Sequence, residues 1–117
     1  MQTPNRVSQQ QLTGASGQQI TCLRFTGDIS SSSRDALLGA YGKVAKDHPV
    51  LLDFSKVEYI NSSGIALVIQ MMMEANKAGQ AICVFGLTPH FQKVFTMVGI
   101  TKYAKLYPDE QSAKATV

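Results

Sequence analysis

Two adjacent hydroxyl groups, those of Ser62 and Ser63, lie where a predicted strand gives way to a predicted helix. Asn61, Ser62 and Ser63 all have short side chains that accept hydrogen bonds from the unpaired amides of a helical first turn. The same position lies beside the positive end of the helix dipole, where an anion is stabilised. Two interpretations follow: the hydroxyls only cap the helix, or they are functional groups at a position suited to a negative charge.

The residues around these serines do not predict a catalytic site. A serine hydrolase carries its nucleophile in Gly-x-Ser-x-Gly, and the segment from Ile60 to Gly64 lacks the first glycine. His48 and His90 are the available bases, and each stands next to a proline with no evident orienting acid. A phosphate-receiver domain needs an aspartate where the central strand ends, but Asn61 occupies that position. No dinucleotide-binding or Walker-type loop follows a predicted strand. We therefore predict no catalytic residues and a protein that is not an enzyme.

Length and composition predict one globular domain over residues 1–117. The net charge is +3, but the eleven lysines and arginines are spread without a run, which does not favour nucleic-acid binding. The chain has no apolar run of about 18 residues and no apolar signal segment, so we expect no membrane insertion and a cytoplasmic location. Cys22 and Cys83 lie in apolar runs, which predicts buried thiols, no disulfide and no metal or cofactor site.

Alternating strand and helix patterns predict the fold class. A short apolar block at residues 50–54 is typical of a buried central strand, and apolar residues then recur at helical spacing over about 62–77. Residues 1–14 are expected to be loosely ordered apart from a weak edge strand near 8–13. The remaining predictions are strands at 19–26, 81–85 and 103–107, and helices after 30–33, from 88–89 and from 108–110 to about 116.

Strands joined through helices must run parallel, with the helices packed on the sheet. We therefore predict an α/β fold: a small mixed sheet of four to five strands packed by about four helices. Leu67 and Met71 fall outside the main apolar face of the 62–77 helix, which makes that helix apolar nearly all round. We interpret part of its surface as facing a partner.

Five short segments, in order along the chain, together resemble a STAS domain, in particular the bacterial anti-sigma factor antagonists. The similarity covers roughly residues 15 to 116. The segments are Leu52-Asp53-Phe54-Ser55, Tyr59-Ile60-Asn61-Ser62-Ser63-Gly64-Ile65, Gly86-Leu87-Thr88-Pro89, Val98-Gly99-Ile100 and Tyr107-Pro108-Asp109-Glu110.

The resemblance implies a domain that acts by binding other proteins. In the family, a serine at the position of Ser62 is phosphorylated by an anti-sigma factor that is also a GHKL-type serine kinase, and a PP2C-type phosphatase removes the phosphate. The family's glycine and acidic residue after the second strand correspond to Gly27 and Asp28. Two family acidic positions are occupied by Ser30 and Asn61 here.

On this resemblance we expect a phosphorylation-controlled anti-sigma factor antagonist, monomeric or weakly dimeric. An alternative is a constitutive STAS subunit of a signalling scaffold or of a lipid-transporting ABC complex. Ser62 is the expected phosphorylation site, and Ser63 is expected to be a helix-cap or core-side hydroxyl. Loops that follow parallel strands gather at one sheet edge, so the loop at 27–33 should meet the turn at 61–64. The predicted partner-binding residues are Gly27, Asp28, Ser30, Arg34, Asn61, Ser62, Ser63 and Gly64.

Overall fold

The computed structural model describes residues 6–116, which form one mixed sheet with helices on both faces. The five strands are β1 (Arg6–Thr13), β2 (Gln19–Thr26), β3 (Val50–Lys56), β4 (Ile82–Phe85) and β5 (Lys105–Tyr107). The helices are α1 (Arg34–Gly42), α2 (Ser62–Lys77), α3 (Pro89–Met97) and α4 (Glu110–Lys114), and single 3-10 turns lie at Ser31–Ser33 and Ile100–Lys102.

The strands lie in the sheet in the order in which they occur along the chain, β1-β2-β3-β4-β5. β1 pairs antiparallel with β2, whereas β2, β3, β4 and β5 pair in parallel through helical crossovers. The predicted fold class and the predicted order of elements are therefore confirmed, with β3 at the centre of the sheet.

Each face of the sheet has its own hydrophobic cluster. On one face, α1, α2 and α3 cover a large core in which Phe25 stacks on Phe54 at 4.9 Å between ring centroids, and Phe95 meets Phe54 edge-on at 6.0 Å. On the other face the smaller cluster contains Ile20, Cys22, Leu51, Cys83 and Phe85, and Ala113 of α4 packs on it. Both cysteines are buried free thiols, as predicted.

The first strand is longer than the sequence pattern indicated. β1 begins at Arg6 and pairs with β2 residue for residue up to Thr13, so the predicted edge strand near 8–13 is confirmed and a loosely ordered start is wrong for residues 6 and 7. The first five residues of that predicted segment lie outside the described residues. Most β1 side chains are exposed, and the strand is held by backbone pairing rather than by an apolar face, which explains its weak sequence signal.

Helix α2 has the predicted bounds, but its apolar residues have a different role from the one expected. Leu67 and Met71 are buried together with Val68 and Met72. Because α1 packs beside α2, the buried side of α2 is wider than a single helix face against a sheet. The expectation that these two residues leave an apolar surface for a partner is wrong.

Candidate partner-binding site

The turn at residues 61–64 is organised by Asn61. Its backbone is extended (φ −81°, ψ 176°), and its side-chain Oδ1 accepts a hydrogen bond from the Gly64 amide at 2.8 Å. Its carbonyl oxygen accepts the first helical bond from the Ile65 amide at 2.9 Å. Asn61 is therefore the N-cap of α2, and the extended segment before the helix ends at this residue.

Ser62 and Ser63 form the first two positions of α2, and both are exposed. Within residues 6–116 neither hydroxyl makes a side-chain hydrogen bond. Because Asn61 already caps the helix, Ser63 is not the cap or core-side hydroxyl that we expected. Both hydroxyls are open to solvent at the positive end of a sixteen-residue helix whose first turn holds no acidic residue.

The turn is joined to the loop at residues 27–33 by backbone contacts through Ile29. The Ile29 amide donates to the Tyr59 carbonyl at 3.0 Å, and the Asn61 amide donates to the Ile29 carbonyl at 3.1 Å. These bonds form an isolated parallel bridge between Ile29 and Ile60 beyond the ends of β2 and β3. The structure thus places the loop and the turn side by side, as the parallel sheet predicted.

Gly64 is buried at the closest point between these two segments. A Cβ atom built on Gly64 would lie 2.3 Å from the Ile29 carbonyl oxygen and 2.9 Å from Cγ2 of Ile60. Only a residue without a side chain allows α2 to start this close to the loop. Gly64 therefore shapes the site and is not itself a contact surface.

Ser30 is also buried, and its hydrogen bonds stay inside the loop. Its Oγ lies 2.8 Å from Ser32 Oγ, and its backbone amide donates to Ser33 Oγ at 3.1 Å. With Ser33 in return donating its amide to the Ser30 carbonyl, the segment forms a closed turn before α1. Ser30 is 5% exposed and its hydroxyl is paired with that of Ser32, so the structure leaves it little surface for the direct partner contact that we expected.

Three further predicted positions are accessible to solvent. Gly27 directly follows β2 and lies in the left-handed region (φ 82°), and Asp28 beside it is half-buried. Arg34 is exposed at the start of α1, and its guanidinium donates to Gln70 Oε1 of α2 at 3.4 Å. The accessible part of the candidate site therefore consists of Gly27, Asp28, Arg34, Asn61, Ser62 and Ser63.

Sequence reasoning missed Tyr59 as a member of this site. Its side chain is 54% exposed, and its ring meets Phe91 of α3 edge-on at 6.2 Å between centroids. It lies three residues before Ser62, so it extends the accessible surface toward α3. A large aromatic residue directly before the buried Ile60 was the available signal.

A chain of hydrogen bonds lies at the end of the sheet where β2 and β3 begin, far from the serines. It has the residue types of a catalytic triad. Thr21 Oγ1 lies 2.7 Å from His48 Nε2, and His48 Nδ1 lies 3.0 Å from Asp47 Oδ1. The expectation that His48 lacks an orienting acid is thus wrong. Thr21 is nevertheless 0% exposed, so its hydroxyl cannot reach a substrate, and His48 satisfies the hydrogen-bonding capacity of this buried hydroxyl.

Other reactive groups within residues 6–116 also form no chemical site. Burial raises the pKa of the Cys22 thiol to about 12 and raises the pKa of Cys83, which keeps both in the unreactive protonated form. In this part of the chain no three histidine, cysteine or acidic residues are grouped as metal ligands require. None of its helices has the length and apolar character needed to cross a membrane.

Replacing the cap tests the role of Asn61. We expect Asn61→Ala to lower the free energy of unfolding by about 1 kcal/mol, because the Gly64 amide loses its acceptor, and Asn61→Asp to stay within about 1 kcal/mol of the parent. Urea denaturation measures both. Ser63→Ala is the matched control in the same turn and should be neutral. A larger loss for Ser63→Ala than for Asn61→Ala would make Ser63 the cap.

Comparison with known proteins places this geometry in a family. A family model described as "Mlab, STAS domain" matches residues 12–108. An anti-sigma factor antagonist from Mycobacterium paratuberculosis is similar in structure, with 22% identity, a TM-score of 0.75 and coverage of 94% of this chain and 91% of that one.

Two further solved structures share the fold. The Bacillus cell fate determinant SpoIIAA in its phosphorylated form has 18% identity and a TM-score of 0.61, with coverage of 91% of this chain and 95% of that one. The murine Slc26a9 anion transporter has 12% identity and a TM-score of 0.72, and the match covers 95% of this chain but 22% of that one. The match of the family model over most of the sequence shows that this chain belongs to the STAS domain family.

Proposed function

We propose that the protein is a phosphorylation-controlled anti-sigma factor antagonist of the bacterial cytoplasm and that it acts by binding, not by catalysis. The proposal is supported by its likeness in fold to anti-sigma factor antagonists. The observation that carries it is the Ser62 hydroxyl, which is exposed and makes no hydrogen bond within residues 6–116. This hydroxyl stands on the first turn of α2 next to the 27–33 loop. A kinase reaches such a group without unfolding any element.

The geometry predicts how phosphate at Ser62 would act. A phosphoserine adds about −1.5 to −2 charges at neutral pH, and the helix dipole stabilises negative charge at this end of α2. Since Asn61 and not Ser62 caps the helix, modification breaks no existing hydrogen bond. The fold should therefore stay intact, and the change is confined to the charge that a partner meets on the accessible surface.

Partner switching follows from this change in surface charge. A partner that covers the 61–64 turn must remove water from a dianion or lose its contact, and both weaken the complex. The partners we propose are an anti-sigma factor that is a GHKL-type serine kinase and a PP2C-type phosphatase that restores the hydroxyl. One of the solved relatives is described as a phosphorylated form, which is consistent with this mode of control.

Variants of Ser62 test the proposal directly. Ser62→Ala should keep affinity for the anti-sigma factor and resist phosphorylation, whereas Ser62→Asp should weaken binding by about ten-fold, equivalent to about 1.4 kcal/mol. Isothermal titration with the host's GHKL-type candidate measures affinity, and phosphopeptide mapping locates the phosphate. Ser63→Ala is the matched control, because Ser63 is exposed in the same turn. Phosphate on Ser63 or on residues 30–33 would contradict the assignment to Ser62.

A second candidate function is supported by one observation. The same fold lies within the Slc26a9 anion transporter chain, so it also serves as part of a larger transport protein. In that case the domain would be a constitutive STAS subunit of a scaffold or of a lipid-transporting ABC complex, and Asn61 and Ser62 would be contacts rather than a switch. Equal affinity of Ser62→Ala and Ser62→Asp for the partner, together with no phosphate on the host protein, would favour this candidate.

A further inference from the structure

The outer edge of β1 is a long row of backbone groups that pairs with no other strand in residues 6–116. In an antiparallel ladder every second residue directs its N–H and C=O groups toward the neighbouring strand, so the alternate residues of β1 direct theirs outward. The β1–β2 register runs without a shift over all eight residues. β1 therefore presents a regular template for one more strand.

Devices that protect sheet edges in monomeric proteins are missing from β1. It contains no proline and no bulge, and Arg6 is its one charged residue. The opposite edge of the sheet differs, because β5 has three residues and starts with Lys105. A head-to-tail contact between β1 of one copy and β5 of the next would therefore pair few groups. Pairing of β1 with β1 uses the full length of the strand and gives a closed dimer rather than an open chain of copies.

We infer that the outer edge of β1 is a homodimer interface in which β1 of a second copy pairs antiparallel about a two-fold axis perpendicular to the sheet. Such an axis keeps the faces covered by α1, α2 and α3 on the same side of the joined sheet. It places the centre of β1, the run Gln9-Gln10-Gln11, opposite itself. Gln10 and Gln11 already bond to Arg24 and Thr21 of β2, which leaves the Gln9 amide to pair with its own copy across the axis. An amide carries both donors and acceptors, so two copies of Gln9 satisfy each other, whereas identical charges would repel.

The inference is independent of the proposed function. β3, which leads into the 61–64 turn, is separated from the β1 edge by β2. The dimer therefore leaves Ser62 open in each copy. Because the two sheets run in opposite directions in the joined sheet, the two serine turns lie at opposite ends, and each copy would bind its own partner.

Charge variants of Gln9 test the interface. Gln9 is exposed, and with either Gln9 or Gln10 on the axis the two copies of this residue lie within about 8 Å. Sedimentation equilibrium of the full chain at low ionic strength should show a concentration-dependent dimer. Gln9→Lys and Gln9→Glu alone should each raise the dimer Kd by about five-fold, and an equimolar mixture of the two should recover it.

Gln111→Lys, an exposed change on α4, is the matched control and should leave the dimer unchanged. Hydrogen exchange of the 6–13 segment should slow as concentration rises. A parent protein that stays monomeric into the millimolar range overturns the inference, as does a dimer that tolerates both Gln9 variants or a mixture that fails to recover. Concentration-independent protection of the outward-directed amides of residues 6–13 would mean that the edge is covered by its own chain and would overturn the inference.

Discussion

Gly64→Ala is expected to destabilise the protein by about 3 kcal/mol or more and to abolish the partner binding that we propose for the 61–64 turn. The new methyl group would lie 2.3 Å from the Ile29 carbonyl oxygen and 2.7 Å from the Ile29 carbonyl carbon. Both atoms belong to the backbone, so no side-chain rotation relieves the clash. Overpacking of this kind costs about 1–3 kcal/mol, and each backbone bond that breaks as the loop moves away adds about 1 kcal/mol.

Urea denaturation measures the loss of stability, and NMR shifts of the Ile29 and Asn61 amides report whether the bridge has opened. Gly39→Ala is the matched control, because a Cβ on Gly39 meets no atom within 4 Å among the described residues. Since Gly39 is in the middle of α1 and exposed, its replacement should stabilise the protein by about 0.5–1 kcal/mol. Equal effects of the two substitutions would show that the contact between loop and helix is not tight.

Gln80→Leu is expected to cost about 3 kcal/mol, because the buried Gln80 amide joins three separate groups. Its Oε1 accepts from the Tyr41 hydroxyl at 2.7 Å, and its Nε2 donates to the carbonyls of Ala45 and His48, both at 2.9 Å. These bonds hold the segment between α1 and β3 in place. This segment lies at the end of the sheet where the parallel strands begin, away from the serines. Leucine has a similar size but removes all three hydrogen bonds, at about 1 kcal/mol each.

Tyr41→Phe is the control for Gln80→Leu, since it removes one of the three bonds and should cost about 1 kcal/mol. Chemical denaturation compares the two variants. If Tyr41→Phe costs as much as Gln80→Leu, the bonds to the two carbonyls contribute nothing to stability. The folded fraction of Gln80→Leu should still bind the partner normally, which separates this stability effect from the site effect of Gly64→Ala.

Local chemistry made several elements readable from the sequence. The Thr88-Pro89 pair predicts the start of α3, and the structure shows the Thr88 hydroxyl accepting from the Phe91 amide at 3.3 Å. Asn61 followed by residues at helical spacing likewise gives the start of α2. In both cases the signal and the structure lie within a few residues of each other, so one sequence is sufficient.

Other features depend on residues that are distant along the chain. The burial of Leu67 and Met71 follows from the position of α1 beside α2, which no pattern within α2 records. The polar strand β1 exists because β2 offers it a partner. The requirement for glycine at position 64 likewise depends on Ile29 across the bridge.

The second face of the sheet is covered by one short helix, α4, and the two cysteines beneath it report how often that helix detaches. Cys22 and Cys83 lie in the small cluster beneath α4, a five-residue helix held there by Ala113 and by the ion pair of Glu110 with Arg24 at 2.9 Å. Both thiols are buried while α4 is in place, so we expect an alkylating reagent to reach them when α4 lifts. The rate of their labelling therefore measures how often this end of the molecule detaches, separately from unfolding of the main core.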